Sequence, residues 1–150
     1  MEHDEINDEE ESRRPLGVTL IGGLYLFFFM LTVSSYGQPI PFFGRIFSGF
    51  EAQALVFVDS LLCLYLFLGI MKRQKLTLYL LLGYNAFEVA NTLINLLFIK
   101  SGDLEKIVGE KVNPDALINT NVSVIIAILM LSLFIIRQHA YFTNRSKYLF

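Results

Sequence analysis

Two stretches of this sequence, residues 15–36 and 116–136, each run for more than twenty residues without one charged side chain. Roughly 20 apolar residues wound as a helix cross a hydrocarbon core, and a helix with no polar face has nothing to offer water. Two further runs carry a single charge each: 52–71 with Asp59, and 76–99 with Glu88. Together the four take up more than half of the 150 residues. In lipid every backbone group must find its partner inside its own element, so helices are the expected form. The alternation that barrel strands require is not seen. The sequence therefore predicts an all-α integral membrane four-helix bundle over residues 14–142. The averages agree, with 54% hydrophobic residues and a mean hydropathy of +0.53, and they understate the case. Seven of the fourteen acids lie within residues 2–11, so the rest of the chain is more apolar still.

That acidic stretch, within residues 1–13, has too few apolar side chains to fold alone and is expected to be a disordered cytoplasmic tail. It lacks the basic start of a cleaved signal peptide, which predicts that the first helix is retained as an anchor. No glycine follows Met1 and the lone Cys63 falls mid-run, so no lipid anchor is signalled. Orientation follows from basic residues near the helix ends. Arg13, Arg14, Lys72, Arg73, Lys75, Arg137, Arg145 and Lys147 share one side, whereas Arg45, Lys100, Lys106 and Lys111 share the other. Both termini, including a tail over 143–150, are thus expected in the cytoplasm of a cell membrane. Lys72, Arg73 and Lys75, with Arg13, Arg14 and Arg137, would form a basic collar facing anionic headgroups.

Two outer loops complete the topology. Residues 38–50 contain Pro39, Pro41 and four phenylalanines, and read as a short amphipathic turn lying on the membrane. The alternative is a re-entrant segment whose backbone is covered by protein. Residues 101–113 have room for a helical turn. Asn113-Pro114-Asp115 then reads as an N-cap, a proline at the first helical position and an acid favoured by the helix dipole. Leu24-Tyr25-Leu26-Phe27 recurs as Leu64-Tyr65-Leu66-Phe67, a short match that an apolar alphabet produces by chance.

The polar residues inside the runs carry what functional signal there is, because an ionisable group at membrane depth is expensive unless it is paired. On the third helix, Asn85, Glu88, Thr92 and Asn95 fall within a sector of roughly 80°, with Asn91 just off its edge. Antiparallel packing brings Asp59 to a nearby level. One reading is an ion or proton path, with Glu88 exchanging and Asp59 assisting. The other is a seam of interhelical hydrogen bonds, within the chain or toward a partner. Gly22, Gly23, Gly69 and Gly83 allow close backbone approach, but no Gly-xxx-Gly pair occurs. Ser60 is expected to bond back to its own helix.

The exclusions are broader. One cysteine provides no thiol–disulfide pair. The two histidines, His3 and His139, lie outside the runs, so they offer no bis-histidine haem site. No HExxH, nucleophile elbow, P-loop or dinucleotide glycine motif is present, and no basic aromatic surface suits nucleic acid. The glycosylation patterns at Asn121 and Asn144 fall against the bilayer and on the cytoplasmic side. No enzyme, cofactor or metal site is expected.

Arg14-Pro15-Leu16-Gly17-Val18-Thr19, leading into an aliphatic and aromatic helix, resembles the opening of small prokaryotic multi-pass membrane proteins of uncharacterised function. Gly69-Ile70-Met71-Lys72-Arg73-Gln74 is similar to the end of their second helix, and Arg137-Gln138-His139-Ala140-Tyr141-Phe142 to their closing segment. The resemblance implies a four-helix integral membrane fold and supplies no substrate or catalytic residue. The acidic tail, Glu88 and the asparagine-rich third helix depart from that pattern. On the sequence alone, the chain reads as a non-enzymatic membrane protein working by helix association, as an accessory or scaffold subunit or a homo-oligomer. A small ion or proton transporter or channel using Glu88 and Asp59 is the alternative. The bilayer and a membrane-protein partner, or a second copy, are the expected partners, and nucleic acid is not.

Overall fold

A computed structural model of the chain describes residues 15–143. The acidic stretch, Arg13, Arg14, Asn144, Arg145, Lys147 and the rest of the C-terminal tail lie outside the described residues. Four long helices account for most of what is described. They are α1 (Leu16–Ser34), α2 (Gly49–Met71), α3 (Lys75–Phe98) and α5 (Pro114–Arg137), with a short α4 (Ser101–Val108) before the last. Three of them, α1, α2 and α5, are long and apolar enough to cross a membrane. The fourth, α3, is as long, but its asparagines and Glu88 leave it less apolar.

The helix limits follow local chemistry. Pro15 supplies the carbonyl that opens α1, and the Ser34 and Ser35 hydroxyls close it by bonding back to the Leu31 and Thr32 carbonyls at 2.6 and 2.7 Å. Asn113 caps α5 as its sequence predicts: its side chain accepts the Asp115 amide at 3.0 Å, and Pro114 occupies the first turn. The helical turn expected within 101–113 extends to the eight residues of α4.

One expectation is corrected. The segment 38–50 contains a β-hairpin where a turn or loop is expected, so the fold is not purely helical. Ile40–Phe42 (β1) and Arg45–Phe47 (β2) pair antiparallel, with Pro41 opposite Ile46. The hairpin closes through Phe43 and Gly44, both at positive φ (44° and 78°), the pattern of a tight primed turn that suits twisted strands. Gly44 meets a second demand as well, since a β-carbon there would press on Phe98 and Ile94 of α3. A strand-to-strand turn written Phe-Gly lacks the Asn-Gly or Asp-Gly signature, which is why the pairing is hard to see in the sequence.

The helices associate in two close pairs, α1 with α2 and α3 with α5, and α2 meets α3 over a smaller area. A core cluster joins both pairs near one end: Val18, Ile21 and Tyr25 from α1, Leu66 and Ile70 from α2, Leu81 and Ile135. Tyr141 and Phe142, following a 3-10 turn at His139–Tyr141, are buried in the same cluster. Gly69 lets Thr77, which is fully buried, press against the α2 backbone. The helices expose apolar side chains over much of their outer surface, and α5 buries only Ile135. In a soluble protein so large an exposed apolar area would drive aggregation. In a bilayer the acyl chains cover it.

Candidate functional site

The hairpin end of the molecule contains a cavity of about 350 Å³. Thr32 of α1 and Ser35 just past its end, Ile40 to Phe42 of β1, Leu55, Val56, Asp59 and Leu62 of α2, and Phe87, Glu88 and Asn91 of α3 all contribute to its wall. Each element has a reason to be there. The α1 helix ends on its serines, the hairpin folds back from that end, and α2 runs away antiparallel. The α3 helix is held to the hairpin by its asparagines.

The hold is specific. Asn91 Oδ1 accepts the Phe43 amide at 2.9 Å, and Asn95 Oδ1 accepts the Gly44 amide at 2.7 Å. Asn95 Nδ2 in turn donates to Asn91 Oδ1 at 3.3 Å. The two amides freed by the tight turn are therefore met by side chains one helical turn apart on α3. Phe43 also packs on Phe42 and Phe87, at centroid distances of 5.0 and 5.3 Å. These contacts hold a non-glycine residue in the left-handed region, which alone costs of order 1 kcal/mol.

Asp59 and Glu88 both line the cavity, and their surroundings differ. Asp59 Oδ1 accepts from the Tyr84 hydroxyl at 2.9 Å, and Oδ2 accepts from the Thr32 hydroxyl at 3.2 Å. Cys63 Sγ lies 3.4 Å from the same Tyr84 oxygen. Among the described residues no donor reaches the Glu88 carboxylate, and no lysine or arginine lines the cavity. Each acid is half-buried.

The other residues of the expected seam are deployed elsewhere. Asn85, buried in α3, accepts the Tyr25 hydroxyl at 2.6 Å and donates to Ser132 Oγ of α5 at 3.0 Å. That joins three helices. Thr92 turns its hydroxyl back to the Glu88 carbonyl at 2.8 Å, so it reaches no other helix. Ser60 bonds back to Phe57 O at 2.8 Å, as its sequence reading has it. Of the collar, Lys72, Arg73, Lys75 and Arg137 gather at the end opposite the hairpin, where the Arg73 guanidinium sits 4.6 Å from the Tyr141 ring centroid.

Sequence reasoning missed Thr32, Tyr84, Tyr25, Ser132 and the role of Asn91. Tyr84 projects beside Asn95 around the α3 helix, but its ring classes it with the apolar residues. The repeated Leu-Tyr-Leu-Phe has no structural counterpart, since Tyr25 is buried and Tyr65 is 47% exposed. Among the described residues no group of three or more His, Cys, Asp or Glu is placed to hold a metal ion. In comparisons with known proteins, no family model matches the chain, and neither a curated protein nor a solved structure matches it.

Proposed function

We propose that this chain is a non-enzymatic multi-pass protein of a cell membrane that carries protons or cations, with Glu88 as the exchanging group and Asp59 as its fixed neighbour. In this reading α3 crosses the bilayer with α1, α2 and α5, its polar residues turned to the other helices and the hairpin. The four-helix membrane fold implied by the resemblance to small prokaryotic multi-pass proteins is the same arrangement. Both termini lie in the cytoplasm, and the hairpin end faces out. The gathering of Lys72, Arg73, Lys75 and Arg137 at the opposite end supports that orientation.

The observation that carries the reading is the shared cavity, where two carboxylates from different helices meet one space and only one has donors on its oxygens. A satisfied acid is a structural element. An acid without a donor at membrane depth is a group that must take a proton or a cation. Proton flux into liposomes containing the full chain tests this. Flux is expected for the wild type and is lost in Glu88→Gln at equal yield and elution volume. Equal flux in the two refutes the transport role.

A second reading, association as an accessory or scaffold subunit or a homo-oligomer, is favoured by α5, which fully buries Ile135 alone and leaves most of its apolar side chains exposed or half-buried. The mass of the particle extracted in a lipid-retaining medium separates the two. A stoichiometric second protein supports association, and a particle of this chain alone counts against an accessory role.

A further inference from the structure

The cavity limits what can enter it. Its wall combines an acid without donors, Glu88, with two aromatic rings, Phe42 and Phe87, whose centroids lie 6.0 Å apart. Leu55, Val56 and Leu62 complete an aliphatic side. About 350 Å³ is within the range of small-molecule sites, which are mostly apolar with a few placed polar groups. A proton needs no such volume. A bare divalent ion needs about six to eight oxygen ligands; the Thr32, Ser35, Asp59 and Asn91 side-chain oxygens of the wall are already in hydrogen bonds, and the aliphatic and aromatic side chains supply none. An anion would meet two carboxylates and no base. What satisfies every part of the wall is an organic cation: its charge meets Glu88, its face meets the rings, and its carbon skeleton covers the aliphatic side. Aromatic faces attract cations in their own right, most of all where water is excluded.

We propose that this cavity binds an amphipathic organic cation, a quaternary or protonated amine with an aromatic or aliphatic body, with Glu88 as its counter-ion and Phe42 and Phe87 as its walls. The proposal rests on the reading of Glu88 as the exchanging group and names what that group exchanges for. Because β1 supplies Phe42, and Asn91 and Asn95 fix the hairpin, the recognition surface comes from the outer turn as well as from the helices.

The test uses the purified full chain in detergent and tetraphenylphosphonium as the probe, with tetraphenylborate as a probe of the same shape and opposite charge. Equilibrium dialysis is expected to show saturable binding of the cation and none of the anion. Glu88→Gln should weaken binding roughly tenfold or more, as expected when a buried charge loses its partner, while Glu88→Asp retains most of it. Phe87→Leu should weaken it about threefold to tenfold. Elution volume and helical content establish that each variant is folded. Binding that is equal in Glu88→Gln, or equal for both probes, is partition into apolar surface and overturns the proposal. Glu88-dependent proton flux without saturable phosphonium binding overturns it while leaving proton transport standing. Glu88-dependent binding without flux supports the site and removes the transport role. Neither signal removes both.

Discussion

Asn85 gives the most demanding test of the packing. It is 3% exposed, accepts from Tyr25 and donates to Ser132, and so joins α1, α3 and α5 through one side chain. A hydrogen bond between membrane helices contributes about 0.6 kcal/mol on average and up to about 1.7. Asn85→Leu removes two of them, about 1–3 kcal/mol. It also leaves the Tyr25 hydroxyl, at 0% exposure, with no acceptor, which costs about 1–3 kcal/mol more. Ser132 is spared that penalty because its hydroxyl already donates to the Ile128 carbonyl at 2.9 Å. The total is about 2–6 kcal/mol. Tyr25→Phe alone should cost about 2–5 kcal/mol, about 1–2 through the lost bond and about 1–3 through the buried Asn85 Oδ1 left without its donor. The decisive quantity is the combination. In the Asn85→Leu background the Tyr25 hydroxyl is only a liability, so Tyr25→Phe should there restore about 1–3 kcal/mol. Reversible unfolding in mixed micelles titrated with dodecyl sulfate, followed by far-ultraviolet circular dichroism, reads all four corners of this cycle. A Tyr25→Phe effect of the same sign and size in both backgrounds refutes the Tyr25–Asn85 contact.

Other consequences are read by similar means. Gly69→Ala places a methyl against Thr77 and should destabilise by about 1–3 kcal/mol through overpacking. Gly83→Ala, in open space on α3, should stabilise by up to about 1 kcal/mol from helix propensity. The same unfolding titration compares the two, and equal effects would refute the close approach at Gly69. Asn91→Leu combined with Asn95→Leu releases the hairpin turn, so the Phe43 and Gly44 amides should exchange with deuterium about tenfold faster or more. Unchanged exchange there refutes the clamp. Tyr141→Phe removes a buried hydroxyl with no partner among the described residues, and should leave stability unchanged or raise it by about 1 kcal/mol. A loss of stability in that variant would show that the hydroxyl is bonded.

The sequence makes the long helices legible because lipid-compatible length and the absence of charge are strong, local signals. The predicted runs and the helices agree to within a few residues, and the Asn113 cap and the Ser60 back-bond follow from chemistry confined to one helical turn. What stays hidden depends on partners distant in the chain. A Phe-Gly turn becomes a hairpin only because asparagines about fifty positions later satisfy its amides. Asn85 and Asn95 share a face of α3, yet they serve different partners because they sit at different heights along it. A helical sector specifies angle and not height. Asp59 and Glu88 are both visible from the sequence as intramembrane acids. The contrast between them is not, since the donors that distinguish them, Thr32 and Tyr84, belong to other helices than the acid they serve.

The hairpin has a mechanical consequence. It is the connection between α1 and α2, yet it is fastened to α3, so it ties one helix pair to the other at the hairpin end. At the opposite end the Arg73–Tyr141 contact and the buried Phe142 tie the same two pairs again. Between these two fastenings α2 and α3 meet only lightly, and the carboxylate cavity lies on that seam next to the hairpin tie. The assembly is a pair of rods latched at both ends and bridged between them by the Tyr25–Asn85 and Tyr84–Asp59 hydrogen bonds. Undoing the Asn91 and Asn95 latch would leave the Tyr84–Asp59 bond as the next restraint on that seam, and the gap between Asp59 and Glu88 would open only as that bond yields.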